Sequence, residues 1–216
     1  MSRFVIEDRN VKINFAGIKP SADHVLVETL EKERTKGGIF LPSGEQTECF
    51  FGKVLKVGEG TTNTVTGEVY PLDVKPGEFV LSMKYMGQEL EVEGKAYKLI
   101  REHGIWARLA LDPDAPDLDI REITPRADCV VLEVAEEYKL RSGLYLPGDP
   151  KTQCATAKVL KVGPGYRNLK SGAILKPALR GGEQVIVRRY AGAILKVRGE
   201  DLRIVQERDI LSILEG

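Results

Sequence analysis

The chain has 216 residues, 42% of them hydrophobic, and its 32 Lys and Arg residues equal its 32 Asp and Glu residues. That balance leaves no net field to draw the chain toward nucleic acid or an anionic membrane, and no run reaches the ~18 apolar residues of a membrane span. Three cysteines, Cys49, Cys129 and Cys154, are too few and odd in number for a disulfide framework, which fits a reducing compartment.

Residues 1–17 mix charges with single apolar residues and lack a signal-peptide core. The expectation is an unsecreted, cytoplasmic chain, with an organelle stroma or matrix, after loss of a transit peptide, as the alternative. From His24 onward, short runs rich in Val, Ile, Leu and Tyr are broken by Gly and Pro about every eight to twelve residues, the mark of strands and turns. Strands are expected at His24–Glu28, Lys53–Val57, Glu78–Met83 and Tyr97–Arg101. They recur at Cys129–Glu133, Lys158–Val162, Glu183–Arg188 and Leu202–Gln206. Turns fall at Pro76-Gly77, Gly94-Lys95, Gly181-Gly182 and Gly199-Glu200, where Gly accepts positive φ and Pro presets the corner. No window carries a long helical stripe, so each unit reads as an all-β barrel or sandwich.

The second set of strands repeats the first. Asp23 falls on Asp128, 105 residues on, and Lys53-Val54-Leu55-Lys56-Val57-Gly58 returns unchanged as Lys158-Val159-Leu160-Lys161-Val162-Gly163. The offset holds without a gap from Ile18 onto Ile123 to Leu109 onto Leu214, a tandem pair of whole domains. The division is 1–109 for the first unit with its N-terminal extension, 110–122 for an Asp- and Pro-rich linker, and 123–216 for the second unit. Four Asp and two Pro between Ala110 and Asp119 favour an extended, self-repelling connector. Each unit ends in apolar strand-like residues, 105–109 and 210–214, that leave an open edge unless something pairs with it. Oligomerisation is one way to cover such an edge.

One segment per unit departs from barrel logic. Between 31 and 51 a charged stretch leads to Gly37-Gly38, the apolar triplet Ile39-Phe40-Leu41, and then Pro42 and polar residues. The second unit repeats the plan with Ser142-Gly143, Leu144-Tyr145-Leu146 and Pro147. Each triplet reads either as a short strand or plug at the barrel end, or as a hook that orders when its side chains enter a partner's groove. Burying three such side chains contributes about 4–8 kcal/mol, and ordering the segment costs about 2–5 kcal/mol. One hook binds weakly, whereas several on one rigid body gain affinity through multivalency.

These residues resemble the GroES-type co-chaperonins, the ring-shaped lids of chaperonins, over nearly the whole chain and twice. The resemblance rests on Gly37 to Pro42, Gly52 to Gly60 and Gly67 to Glu78 in the first unit. In the second it rests on Lys158 to Gly165, Tyr190-Ala191-Gly192 and Glu207 to Leu211. It implies two tandem GroES-like β-barrels, in an organisation similar to the chloroplast double-domain co-chaperonins. Partner-binding residues are then Gly37, Gly38, Ile39, Phe40 and Leu41, with Gly143, Leu144, Tyr145 and Leu146. The implied partner is a GroEL-type chaperonin ring, which binds and hydrolyses the ATP, so the lid itself carries no cofactor and no catalysis. Hairpins at Thr61 to Val69 and Tyr166 to Ile174 correspond to the roof of the dome.

Phe40 and Tyr145 occupy the middle of the triplets, where the family more often has an aliphatic residue, and Ser142 replaces the first Gly of the second pair, which stiffens that loop. The first hook is therefore expected to bind more tightly. Whole chains of two barrels do not match a sevenfold ring. A symmetry mismatch, a mixed assembly with a single-barrel co-chaperonin, or an unusual chaperonin each satisfies the count. A non-chaperonin partner for an oligomeric barrel scaffold is the competing reading. Gly58-Glu59-Gly60 and Gly163-Pro164-Gly165 nearly match a dinucleotide fingerprint, but no third Gly and no amphipathic helix follow, so they read as strand-ending turns.

Overall fold

Alternation builds the sheets: successive residues of a strand turn to opposite faces, and those pointing into each unit are mainly Val, Ile and Leu. The computed structural model describes residues 15–30, 39–40, 49–112, 119–134, 154–198 and 200–214. The first unit contributes β1 (His24–Leu30), β2 (Ile39–Phe40), β3 (Cys49–Val57), β4 (Thr61–Thr62), β5 (Val69–Tyr70), β6 (Phe79–Met83), β7 (Gln88–Val92), β8 (Lys95–Arg101) and β9 (Ile105–Leu109). The second contributes β10 (Ile123–Pro125), β11 (Cys129–Val134), β12 (Cys154–Val162), β13 (Tyr166–Arg167), β14 (Ile174–Leu175), β15 (Gln184–Arg188), β16 (Ala193–Val197), β17 (Glu200–Gln206) and β18 (Ile210–Leu214). Among the described residues the only helical elements are single 3₁₀ turns, so the all-β expectation holds.

Two seven-stranded antiparallel sheets carry the fold, in the orders β10-β9-β6-β3-β1-β8-β7 and β18-β15-β12-β11-β17-β16-β2. The offset is kept in the pairing itself. Val25 lies opposite Val57 and Ile100, and Val130 lies opposite Val162 and Val205. A bulge between Leu26 and Val27 returns between Val131 and Leu132, adding the twist that curls each sheet. The interiors are Val25, Val27, Val54, Val80 and Ile100 in one unit and Val130, Leu132, Val159, Val185 and Val205 in the other. Volume is conserved locally as well. A Cβ on Gly52 would stand 2.4 Å from Val27 Cγ1 and 3.3 Å from the Phe50 ring, and the second unit has Ala155 and Ala157 at these places.

Each sheet is completed by a strand from the other unit. β10 pairs with β9, Ile123 opposite Leu109 and Pro125 opposite Ala107, so the first apolar terminus is covered within the chain. β18 ends its sheet, and among the described residues no strand pairs with its outer edge. A third hydrophobic core lies between the units. Cys49, Phe51, Leu81, Met83 and Trp106 from the first pack with Val131, Leu195, Val197, Leu202 and Ile204 from the second. β3 starts at Cys49 and β12 at Cys154, each four residues ahead of the expected Lys53 and Lys158, because these residues pair with β6 and β15. Phe51 faces another barrel instead of water.

Residues 113–118 lie outside the described part, but the Asp119 carboxylate accepts the Arg121 amide at 2.7 Å and its guanidinium at 2.7 Å. That pairing holds the Asp119 carboxyl below its ordinary range. Ile120–Glu122 then forms a 3₁₀ turn, and Ile120 packs on the shared core.

Candidate functional site

The segments that carry the two triplets join neighbouring strands at one end of each barrel. Residues 31–48 join β1 to β3, and 135–153 join β11 to β12, each an antiparallel neighbour pair. β3 runs nine residues from that end to Val57, which at ~3.3 Å per residue puts the opposite end about 26 Å away. There stand the small hairpins β4–β5 and β13–β14. The strands therefore carry the triplet segments and the small hairpins at opposite ends of each unit.

Of the residues expected to bind a partner, Ile39 and Phe40 form β2, whose backbone pairs with Val197 and Lys196 on the edge strand of the second barrel. Gly37, Gly38, Leu41, Gly143, Leu144, Tyr145 and Leu146 lie outside the described residues. At the hook end, the turns after β6 and β15 present Tyr85 and Tyr190, both exposed. Sequence reasoning used Tyr190 only for the family resemblance and gave the pair no role, although the offset places one on the other.

The two small hairpins touch. The Thr64 amide donates to the Leu169 carbonyl at 3.3 Å, and the Arg167 guanidinium lies 4.4 Å from the Tyr70 ring centre. Asn63 shapes the first hairpin by accepting the amides of Val65 and Thr66, and Asn168 accepts those of Lys170 and Ser171. The glycines that mimic a dinucleotide fingerprint are explained here. A Cβ on Gly58 would lie 2.1 Å from the Ala22 carbonyl oxygen, and Gly60, at φ +127°, would press on that of Tyr70 at 2.1 Å. Close backbone crossing demands them.

Below the roof the junction is charged as well as apolar. Arg126, at the start of the second unit, donates from Nη2 to Glu102 Oε1 at 2.7 Å and from Nη1 to the Glu102 carbonyl at 3.1 Å, with Asp73 Oδ2 at 3.6 Å. Its amide donates to the Trp106 carbonyl at 2.9 Å, extending the β9–β10 ladder. Lys161 Nζ holds the incoming segment through the carbonyls of Arg121 and Ile123, both at 2.9 Å. Lys56 does the same in the first unit, donating to the carbonyls of Phe15, Ala16 and Ile18 at 2.7, 3.1 and 2.9 Å.

No pair of thiols is bonded among the described residues; Cys49 and Cys129 are buried in the shared core and Cys154 is half-buried. Burial pushes the Cys49 thiol up to about 12 and Cys129 up further, so both are poor nucleophiles. Among the described residues no cluster of His, Cys, Asp and Glu is placed to hold a metal ion, and no helix is long and apolar enough to cross a membrane.

Comparison with known proteins matches the family described as chaperonin 10 Kd subunit twice, over residues 17–109 and 122–214. The chain is similar to the 20 kDa chaperonin, chloroplastic, of Spinacia oleracea, with 32% identity over 203 residues, 93% of this chain and 76% of that protein. The protein of the same name from Arabidopsis thaliana gives 32% over 203 residues, 93% of this chain and 77% of its own length. The co-chaperonin GroES of Geotalea uraniireducens is 42% identical over 89 residues, 41% of this chain and 92% of that protein.

Proposed function

Because this chain belongs to the chaperonin 10 kDa subunit family, through two GroES-like β-barrels in tandem, we propose that it is a co-chaperonin that caps a GroEL-type ring and assists ATP-dependent folding inside it. The ATP is the ring's. The observation that carries this reading is the junction between the barrels. β9 accepts β10, the neighbouring faces share one core, and among the described residues no strand pairs with the outer edge of β18 at one end or with Ile18–Pro20 at the other. Ile18–Pro20 is the counterpart of β10, so repetition of the same contact closes chains head to tail into a lid.

In such a lid the hooks leave every barrel from the corresponding end, opposite the roof hairpins, and engage the ring together. Ile39, Phe40 and Leu41, with Leu144, Tyr145 and Leu146, enter apolar grooves of the chaperonin, each weakly and all with avidity. The chloroplast named for the two 20 kDa relatives supports an organelle stroma, beside the cytoplasm, as the place of work.

Gel filtration of the full chain with a GroEL-type ring tests this. Co-elution that needs ATP, and that disappears when both triplets are replaced by Ala, is expected. Nucleotide-independent co-elution, or capture and refolding of a client undiminished by the double replacement, would contradict it.

A further inference from the structure

The chain contains one finished seam and the two halves of another, and their side chains differ. Inside the chain, Phe51, Met83, Trp106 and Ala107 are buried under the second barrel. The 105-residue offset puts Thr156, Arg188, Leu211 and Ser212 on the corresponding face of the second barrel. That face is open: Leu211 is 52% exposed where Trp106 is 3% exposed, and Leu214 is 39% exposed where Leu109 is 4% exposed. The charged contact also lacks its partner. Glu102 meets Arg126 inside the chain, whereas Glu207, holding the Ala178 amide as Glu102 holds that of Asp73, has Ser21 of the opposing half in Arg126's place.

The complementary half is already shaped. Lys56 clamps the carbonyls of Phe15, Ala16 and Ile18, as Lys161 clamps those of Arg121 and Ile123 in the segment that leads into β10. Phe15 and Ile18 pack on Leu26, Val92 and Tyr97, the counterparts of Val131, Val197 and Leu202 in the finished seam. Both halves of the open seam thus belong to this chain, and the occupant they fit is a second copy.

We propose that where a second copy sets its Ile18–Pro20 segment on β18 in the register of β10 on β9, this between-chain seam is the weaker of the two, so that assemblies open and exchange there in whole two-barrel units. The proposal rests on the head-to-tail lid described above and adds the place where that lid comes apart. Every one of the four face substitutions removes apolar area or adds a polar group that the finished seam does without, and the fifth, Ser21 for Arg126, removes an ion pair.

The test grafts the finished seam onto the open one in the full-length chain. Wild type, R188M/L211W and S21R are diluted from micromolar to nanomolar concentration and weighed by mass photometry, with Cys154 labelling by a thiol reagent as a second readout. Cys154 is the counterpart of Cys49, which is fully buried in the finished seam, so docking slows its reaction. Dissociation of wild type into single chains, with the double variant holding together at concentrations about a hundredfold lower, is the expected result. S21R is expected to tighten the seam about tenfold at low salt and less at high salt. Wild-type assembly with no tightening in either variant would overturn the weak-seam inference and leave the head-to-tail reading standing. Absence of assembly and of Cys154 protection in all three proteins would overturn both. A circular dichroism spectrum matching wild type qualifies a variant for comparison, and S21R, a surface change, remains informative if the core graft misfolds.

Discussion

Replacing Arg126 with Ala separates the charged part of the finished seam from its apolar part. The Arg126 side chain is 9% exposed, and Glu102 beside it is 21% exposed. Loss of one member of a buried pair costs about 3–5 kcal/mol when the other is left unpaired. Glu102 is not left so, because its Oε1 keeps the Asp73 amide at 2.6 Å and part of its surface stays in water. The expected cost therefore falls to about 2 kcal/mol, including the bond from Arg126 to the Glu102 carbonyl and packing of the arginine stem. Glu102→Gln keeps an acceptor and deletes the charge, for about 1 kcal/mol, and the double variant should show a coupling of about 1–2 kcal/mol.

Trp106 is the chain's single tryptophan and sits in that junction, 3% exposed, so its emission during urea unfolding reports the seam directly. With a urea slope of about 2 kcal/mol per molar, R126A lowers the midpoint by about 1 M. The pair is screened little by salt because its members are mostly buried. Ser21→Ala, at the equivalent place in the first unit, should leave the midpoint unchanged. If R126A unfolds within about 0.5 kcal/mol of wild type, or the two single changes simply add, the ion pair does not hold the barrels together and the contrast between the two seams loses its electrostatic half.

Phe40→Ala should weaken ATP-dependent capture of the ring about ten- to a hundredfold, and Tyr145→Ala less, read by titrating chaperonin ATPase inhibition or co-elution. Gly60→Ala should destabilise the first barrel by about 1–3 kcal/mol, since φ is +127° and the new Cβ meets a carbonyl oxygen, while Gly67→Ala, at φ +75° with open space, should cost less; thermal unfolding separates them. The Cys49 thiol, raised from 9.0 to about 12 by burial, makes the unfolded chain the better acid in that window. Its contribution is intact below about pH 9 and falls as pH rises toward 12, by up to about 1.4 kcal/mol per unit, so Cys49→Ala should flatten the loss of stability measured by urea unfolding on the alkaline side.

How far the sequence reached follows from where its signals are local. Short β-rich runs and Gly–Pro corners are local, and β1, β6, β8 and their counterparts fall where alternation places them. The open edge at 105–109 and 210–214 was legible because apolar strands with no partner imply one. Burial on the outer faces was not, because a Phe at 51 or a Met at 83 carries the same periodicity whether it faces water, a loop or another barrel. The signal available was a comparison of the repeats: positions that turn from Phe to Thr, Met to Arg and Trp to Leu across the offset mark a face covered in one copy and open in the other. Arg126 was invisible for a different reason. Its partners Glu102 and Asp73 are distant along the chain and meet it only once β10 lies on β9. The hooks were read from composition, and of the residues named there only the backbone of Ile39 and Phe40 enters the described fold, as an added strand on β16.

Tandem fusion inverts the usual need for a tight interface. Two barrels on one chain meet at the high effective concentration set by a short connector, so their junction would persist with few contacts. Yet it is this junction that holds Trp106, Phe51 and the Arg126–Glu102 pair, while the matching face of the second barrel carries Leu211, Thr156 and Ser212. Affinity does not account for that distribution. Rigidity does: a large apolar core and a buried ion pair fix the angle between two barrels, and hence the spacing of two hooks, whatever happens elsewhere in the assembly. A lid that must both span its ring accurately and come apart can assign accuracy to the covalent seam and opening to the other, which predicts that loosening the inner seam with R126A harms ring capture even where the lid stays assembled.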